Sequence, residues 1–248
     1  MHIRLLSVLF LIGSFSANAQ FSKGDKMVGA SVGSVVFNSG NSDISVAQIG
    51  DNTSKITNYN ISINPTIGWF ISENTAVGAS LNLNPAGNKT SYEQNGSTYQ
   101  SDKTTAFNIG LGAFARHYFT SQASMKPFSQ FGFNLGINSL KTDGFFYGGS
   151  GTSAYKITYE GKSSGGFFAN ASLQAGLTKM MGENAGLDFF IGYNYGYNKN
   201  TFDKTTLRDN GNDGSIDERG ENETTTKFTN HGFILGVGFQ VFLKGKKK

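Results

Sequence analysis

The chain has 248 residues with 33 glycines, 3 prolines and no cysteine, and 15% of its residues are charged. The lack of cysteine excludes disulfides, thiolate metal sites and cysteine nucleophiles. The formal net charge of +4 arises from Arg4 and from the lysines of the segment Lys244–Lys248. The body between them is close to neutral and offers no basic face for nucleic acid.

The first residues have the features of an export signal. Arg4 precedes an apolar run over Leu5–Phe15, and Ala17 and Ala19 have the spacing of a cleavage site. A membrane-anchoring helix needs about 20 apolar residues, which this run does not supply. We therefore predict a cleaved signal peptide at residues 1–19, a single barrel domain at 20–243 and a basic tail at 244–248.

Segments of strict two-residue alternation follow along the mature chain. In Asn58–Ile71 the odd positions, from Tyr59 to Trp69, are apolar, whereas the even positions are small, polar and uncharged. Successive side chains of a strand point to opposite faces, so this pattern predicts a strand with one apolar and one polar face. The same pattern predicts eight strands: Met27–Phe37, Thr57–Ile71, Thr75–Asn84, Thr105–Phe119, Phe128–Asn138, Phe167–Thr178, Leu187–Asn198 and Phe228–Leu243.

The predicted connections alternate in length. Three are short (Ser72–Asn74, Thr120–Lys126 and Lys179–Gly186), and four are long and polar (Asn38–Ile56, Pro85–Thr104, Ser139–Gly166 and Lys199–Lys227). Short periplasmic turns and longer extracellular loops are typical of outer-membrane barrels. The prediction is therefore an all-β fold: an eight-stranded antiparallel up-and-down transmembrane β-barrel with short periplasmic turns and four long extracellular loops.

Two soluble folds, a lipocalin-like barrel and a β-sandwich, are the alternatives to this prediction. Both expose one face of each strand to water, where charged residues are expected. Within the eight predicted strands Arg116 and Asp188 are the charged residues. Aromatic residues near the predicted strand ends favour membrane-interface girdles, with Trp69, Phe119 and Phe128 near the periplasm and Tyr195 and Tyr197 nearer the outer surface.

These features resemble the outer-membrane protein beta-barrel domain family, the small eight-stranded porin-family barrels of Gram-negative outer membranes. The resemblance covers residues 20–243 and includes the site Ala17-Asn-Ala-Gln20 and the closing strand Gly232–Phe242. It implies an outer-membrane location, folding by the barrel assembly machinery, and contact with outer-membrane lipids and lipopolysaccharide. The family commonly ends on an aromatic residue, whereas here Leu243 and the lysine tail follow Phe242.

The lumen of an eight-stranded barrel is just wide enough for side chains to fill it. Arg116 and Asp188 are both predicted near its periplasmic end, three strands apart, and we predict that they meet as a salt bridge that plugs the lumen. A gate or proton-linked switch is the alternative reading. Neither His117 nor His231 has a serine two residues away, so no catalytic site is predicted.

One loop is similar to a calcium-binding loop. Asp209, Asp213 and Asp217 are spaced as in such loops, but Gly211 and Gly220 occupy two of the ligand positions. A turn-rich acidic loop is the simpler interpretation, a weak calcium site is the alternative, and no cofactor is predicted. The acidic segment 203–227 is expected to contact lipopolysaccharide through divalent cations.

The predicted function is structural. The sequence favours a non-enzymatic integral outer-membrane protein that supports the envelope and binds an extracellular ligand through its long loops. The alternative is a narrow channel, or a conduit for small or hydrophobic solutes with a lateral opening.

Overall fold

A computed structural model describes residues 21–46, 50–120, 124–149 and 154–245. The predicted signal peptide and the last three lysines of the tail lie outside the described residues. Within the described ranges no helix has the length and apolarity needed to cross a bilayer.

The described chain forms one closed antiparallel barrel in which each strand pairs with its sequence neighbours and β1 pairs with β8. This confirms the predicted fold class, strand number and strand order. The strands are β1 (Lys26–Val46), β2 (Gly50–Phe70), β3 (Thr75–Gln94), β4 (Ser97–Tyr118), β5 (Met125–Gly148), β6 (Tyr155–Met180), β7 (Ala185–Asn210) and β8 (Glu218–Leu243).

The two faces of the wall differ as the alternation predicts. Large apolar side chains point outward and are exposed, including Leu111 (73% exposed), Leu235 (71%) and Phe233 (80%). Polar side chains of the opposite phase line the interior. An apolar outer band around a polar lumen suits lipid outside and water or packed side chains inside.

The four long loops predicted from the sequence are mostly strand, and that part of the prediction was wrong. β1 extends to Val46 and β2 begins at Gly50, while β3 and β4 are joined by the two-residue turn Asn95–Gly96. Both turn residues have positive φ, as a type I′ hairpin turn requires. These extensions of the strands, which occupy the ranges predicted as loops, carry polar residues on both faces. The apolar alternation therefore stops, although the hydrogen-bonded pairing of the strands continues.

The barrel closes over a short distance. β1 and β8 pair from Lys26–Leu243 to Val32–Val237, and a bulge between Val32 and Ser34 follows in β1. The neighbouring pair β7–β8 continues from Ala185–Val241 up to Arg208–Glu218. Within the described residues, the junction between β1 and β8 is therefore a seam that is paired only near the periplasmic end.

Candidate functional site

The predicted charge pair lies at the bottom of the lumen. Arg116 of β4 and Asp188 of β7 meet across the barrel, with 2.6 Å between Nη1 and Oδ2. Both side chains are almost fully buried, at 5% and 1% exposed. Desolvation of two charges is costly, so such a pair persists only when further hydrogen bonds satisfy both groups.

Four neighbours supply those hydrogen bonds. Arg116 donates from Nε to Gln130 Oε1 at 2.7 Å and from Nη1 to the Tyr118 hydroxyl at 3.2 Å. Asp188 accepts from Thr178 Oγ1 at 2.6 Å and from Gln240 Nε2 at 3.2 Å. These donors and acceptors come from four different strands, so the network ties opposite walls of the barrel together.

An aromatic floor lies directly beneath this network. Phe21, just before β1, packs against Phe70 at a ring-centroid distance of 4.5 Å, Phe242 at 4.6 Å and Tyr118 at 5.0 Å. The Arg116 guanidinium lies 4.1 Å above the Phe128 ring, a favourable cation–π geometry. The floor and the charge network together fill the periplasmic mouth.

Phe21 is held in place by the chain on both sides of it. The Gly24 N–H donates to the Phe70 carbonyl at 2.9 Å, and Asp25 accepts from the N–H groups of Ser22 at 2.9 Å and Gly245 at 2.8 Å. Residues 21–25 therefore fold across the opening. Sequence reasoning missed this role, because Phe21 lies before the first strand and outside the alternating pattern.

The five predicted interface aromatics divide into two groups. Trp69 (43% exposed), Phe119 (64%) and Tyr195 (54%) face outward, and Tyr197 shares their phase but is half-buried. Phe128 is 1% exposed and belongs to the floor, so its assignment to the membrane interface was wrong. It shares the inward phase of β5 with Gln130, and the ring occupies space that Gly176 leaves open on the next strand.

Above the floor the lumen contains a cavity of about 340 Å³ with an uncharged polar wall. Asparagine is its commonest lining residue, and the lining asparagines are Asn60, Asn64, Asn82, Asn84, Asn108, Asn134, Asn170, Asn194, Asn198 and Asn230. An amide both donates and accepts hydrogen bonds, so this wall is suited to water or to neutral polar solutes.

Part of this wall is a chain of amide hydrogen bonds. Asn108 donates to Asn84 at 3.0 Å, and Asn84 donates in turn to Asn60 at 3.1 Å and to the Ile61 carbonyl at 2.8 Å. The chain runs around β2, β3 and β4 at one level. It fixes the side chains of the wall without placing any charge in the lumen.

Three inward phenylalanines narrow the cavity from the side: Phe114, Phe168 and Phe190. Each packs over glycines of adjacent strands, where an added Cβ would collide with the ring, as at Gly78, Gly136 and Gly236. At these three positions an inward glycine makes room for an aromatic ring.

His117 and His231 both lie on the outer surface of the barrel. His117 Nδ1 is 3.0 Å from the Thr75 hydroxyl, and His231 Nδ1 is 2.8 Å from the Tyr193 hydroxyl. Thr75 and Tyr193 are their neighbours across the strands in the outward phase. Neither histidine forms the serine–histidine–carboxylate arrangement that acyl transfer needs.

The carboxylates of the acidic turn between β7 and β8 accept hydrogen bonds from backbone N–H groups of the same turn. Asp209 accepts from the N–H groups of Asp213 at 3.1 Å and Gly214 at 2.9 Å, and Asp217 accepts from Asn210 N–H at 2.6 Å. The N–H of Ser215 donates to Asp213, which lowers the pKa of that carboxyl. Among the described residues no group of three His, Cys, Asp or Glu side chains is arranged to hold a metal ion.

The combination of a closed eight-stranded barrel, an apolar outer band and a polar lumen decides the class of this protein. The chain folds as a membrane-spanning β-barrel. Its short turns lie at the same end of the barrel as residues 21 and 245, the first and last that the structure describes. In bacterial outer-membrane barrels the short turns face the periplasm.

Comparisons with solved structures returned other outer-membrane barrels. They include OprG from Pseudomonas aeruginosa (12% identity, 92% of this chain and 100% of that one, TM-score 0.37) and Neisserial surface protein A (16%, 88% and 97%, 0.32). The outer membrane protease OmpT from Escherichia coli is also similar (9%, 94% and 100%, 0.34). At these identities no residue role is transferred. No protein-family model matches the sequence, and the search of curated proteins found no match.

Proposed function

We propose that this protein is a non-enzymatic, sealed outer-membrane barrel that supports the envelope and presents rigid hairpins at the cell surface. The observation that carries the proposal is the closed periplasmic floor, in which Phe21, Phe70 and Phe242 stack beneath the Arg116–Asp188 pair. All five residues are buried, which leaves little room for diffusion through the lumen.

The hairpins support the surface role. β5 to β8 extend far beyond the apolar band, and their upper parts remain paired, as between Phe146 and Ile157 and between Leu207 and Arg219. A paired extension holds its outer side chains at fixed spacings, so a ligand would meet a preformed surface. Outer-membrane lipids, the barrel assembly machinery and an extracellular ligand are the partners we propose for this role.

The positions of the histidines support the absence of catalysis. His231 lies on the outer face opposite Tyr195 of β7 and is hydrogen-bonded to Tyr193. Asp203 lies opposite Glu223, eight residues away along β8. The proposal therefore predicts that His231→Ala leaves any lipid-modifying activity of a purified preparation unchanged.

Planar-bilayer recording on refolded protein tests the sealed state. The wild type is expected to insert without discrete conductance steps, whereas stable steps would contradict the proposal. Heat-modifiable migration on a gel verifies that the protein is a folded barrel. An absence of conductance then does not result from misfolding.

A second candidate function rests on the seam. Above Val32–Val237 no β1–β8 pairing continues in the described residues, and unpaired strand edges are costly within lipid. Such a seam suits lateral passage of a small or hydrophobic solute between the cavity and the membrane. Uptake of a hydrophobic dye into vesicles that contain the protein would favour this function over the sealed one.

A further inference from the structure

The asparagines that line the lumen cavity fall into two groups. On the β2–β4 side their amides bond to one another, as in the chain Asn60–Asn84–Asn108. On the β6–β8 side, four asparagine side chains have no hydrogen-bond partner within the described residues. Their amide atoms are accessible to solvent, so they present donors and acceptors to whatever fills the cavity. These four, here called the free amides, are Asn170, Asn194, Asn198 and Asn230.

The strand registers bring the free amides together on one part of the wall. Asn170 of β6 and Asn230 of β8 both lie opposite Gly196 of β7, one on each side of it. A Cβ at Gly196 would collide with the Oδ1 atoms of both asparagines, so the missing side chain lets both amides extend over the middle strand. Asn194 and Asn198 lie two residues below and above Gly196 on the same face of β7.

An exposed aromatic ring lies beside the free amides. Phe228 of β8 is opposite Asn198 and two residues from Asn230, so its side chain has the inward phase. The three inward phenylalanines that narrow the cavity are buried, whereas Phe228 is 52% exposed. In the described part of the chain its ring contacts no other aromatic ring. Phe228 therefore offers an open apolar surface next to unused hydrogen-bonding groups.

The cavity is closed below and open above. The aromatic floor and the Arg116–Asp188 pair fill the periplasmic end. Above the cavity, Val36 and Ile56 share the inward phase of Asn60 and are exposed to solvent. A solute can therefore enter from the outer end and reach the free amides without crossing the floor.

The chemistry of the wall favours an uncharged ligand that is rich in hydroxyl groups. Among the described residues no charged side chain lines the cavity, so a charged solute would lose its hydration without gaining an ion partner. An amide both donates and accepts hydrogen bonds, as a hydroxyl does, and several amides can satisfy the several hydroxyls of a sugar. The apolar C–H face of a sugar ring can pack on the exposed Phe228 ring.

The size of the cavity also suits such a ligand. Its volume of about 340 Å³ falls at the lower end of the range of about 300–1,000 Å³ that is usual for ligand pockets. Pockets of this kind combine apolar surface with a few placed polar groups that fix the orientation of the ligand. Phe228 and the free amides supply these two components.

We propose that the free amides and Phe228 form a binding site for a neutral sugar unit in the outer part of the lumen. This site goes beyond the structural role proposed above, and its residues belong to β6, β7 and β8 above the floor. A conducting wild type would therefore remove the sealed-barrel proposal and leave this one standing.

Titration of sugars into the refolded full chain provides the test. The detergent must carry no sugar headgroup, because a glycoside detergent would compete for the site. The neutral probes are glucose, galactose and N-acetylglucosamine, and the charged comparators are glucuronate and the zwitterion glycine. Maltotriose distinguishes a site for a free monosaccharide from one for the end of a longer glycan. Binding is measured by isothermal titration calorimetry, and heat-modifiable migration confirms that each variant is folded.

The central variant is Asn170→Ala with Asn230→Ala, which removes two free amides from neighbouring sides of Gly196. Its control is Asn88→Ala with Asn222→Ala. This control removes the same number of amides from inward positions above the cavity, because neither Asn88 nor Asn222 lines it.

Two further variants test the site without removing an amide. Gly196→Ala adds a methyl group that displaces the side chains of Asn170 and Asn230, and Gly220→Ala is its control because nothing lies within 4 Å of the added Cβ. Phe228→Ala removes the exposed ring, and Phe228→Tyr restores one. Phe233→Ala removes an aromatic ring from the outward face of the same strand and is the matched control.

We expect the wild type to bind a neutral sugar at least about tenfold more tightly than glucuronate or glycine. The Asn170→Ala, Asn230→Ala variant should bind that sugar about tenfold more weakly, because two hydrogen bonds are lost. Gly196→Ala and Phe228→Ala should each weaken binding severalfold, while Phe228→Tyr and the three controls retain it.

Three results would overturn the proposal. The first is a folded wild type that binds none of the neutral probes. The second is binding of glucuronate or glycine as tight as that of the neutral sugars. The third is unchanged sugar binding in the folded Asn170→Ala, Asn230→Ala variant, which would place the sugar elsewhere on the protein.

Discussion

The lower and upper parts of the lumen are built on different principles. The lower part holds a buried ion pair and packed aromatic rings, and one of these rings, Phe21, belongs to the segment that precedes β1. The upper part holds an uncharged cavity whose asparagines bond to one another along the wall. Removal of one group in the lower part leaves a buried charge unpaired or creates a void. Removal of an amide in the upper part leaves space that water can fill. The difference teaches that closure is concentrated at the periplasmic end.

The largest effect is expected from separating the ion pair. Asp188→Asn leaves the buried Arg116 guanidinium uncompensated and should lower the free energy of unfolding by about 3–5 kcal/mol. Urea unfolding of the refolded barrel in lipid measures the change. The double variant Arg116→Met, Asp188→Leu removes both charges, and its free energy of unfolding should fall much less than that of Asp188→Asn. A double variant as unstable as the single one would show that the charges do not act as a pair.

Phe21→Ala is expected to have the next largest effect. The substitution leaves a void among Phe70, Tyr118 and Phe242 and should cost about 3 kcal/mol, measured by the same unfolding method. Phe119→Ala is the matched control because Phe119 is 64% exposed on the outer surface, and its effect should stay below about 1 kcal/mol. Equal losses from both variants would remove the special role of the floor.

An added methyl group at Gly136 tests the packing between the two regions. A Cβ there would meet the Ile109 carbonyl and the Phe168 ring, so Gly136→Ala should destabilise the barrel by about 1–3 kcal/mol. At Gly232 nothing lies within 4 Å of the added Cβ, and Gly232→Ala serves as the control. The comparison is read from the unfolding midpoints of the two variants, which should differ clearly.

The smallest effect is expected in the upper lumen. Asn84→Ala interrupts the chain Asn60–Asn84–Asn108 and should cost about 1 kcal/mol, because water can replace the lost amide. Asn194→Ala, elsewhere on the cavity wall, removes an amide outside that chain and should cost less. A loss at Asn84 as large as that of Asp188→Asn would contradict the proposed division of the lumen.

The sequence predicted the barrel because alternation and the scarcity of charge are properties of each strand alone. The same phase analysis placed Arg116 and Asp188 inside and near one end, where the structure brings them together. The inward phase of Phe128 was visible in the same way, but its position near a strand end suggested a membrane interface.

Other features depend on pairing between distant strands. The hairpin extensions lack an apolar face, so their pattern resembles a polar loop although Thr, Ser, Asn and Tyr side chains tolerate a strand well. The opposition of Lys199 and Lys227 is one such feature, since both lie in one predicted loop and become partners only when β7 and β8 pair. Phe21 lies before the first strand, and no periodicity indicates where its ring packs.

The most direct test of the closed floor is a paired conductance measurement on the wild type and the variant Phe21→Ala, Arg116→Met, Asp188→Leu. Both proteins are refolded, verified by heat-modifiable migration and inserted into the same planar bilayers. The account predicts a silent wild type and discrete conductance steps from the variant, because removal of the ring and the ion pair opens the periplasmic mouth. Steps of the same size from both proteins would contradict it.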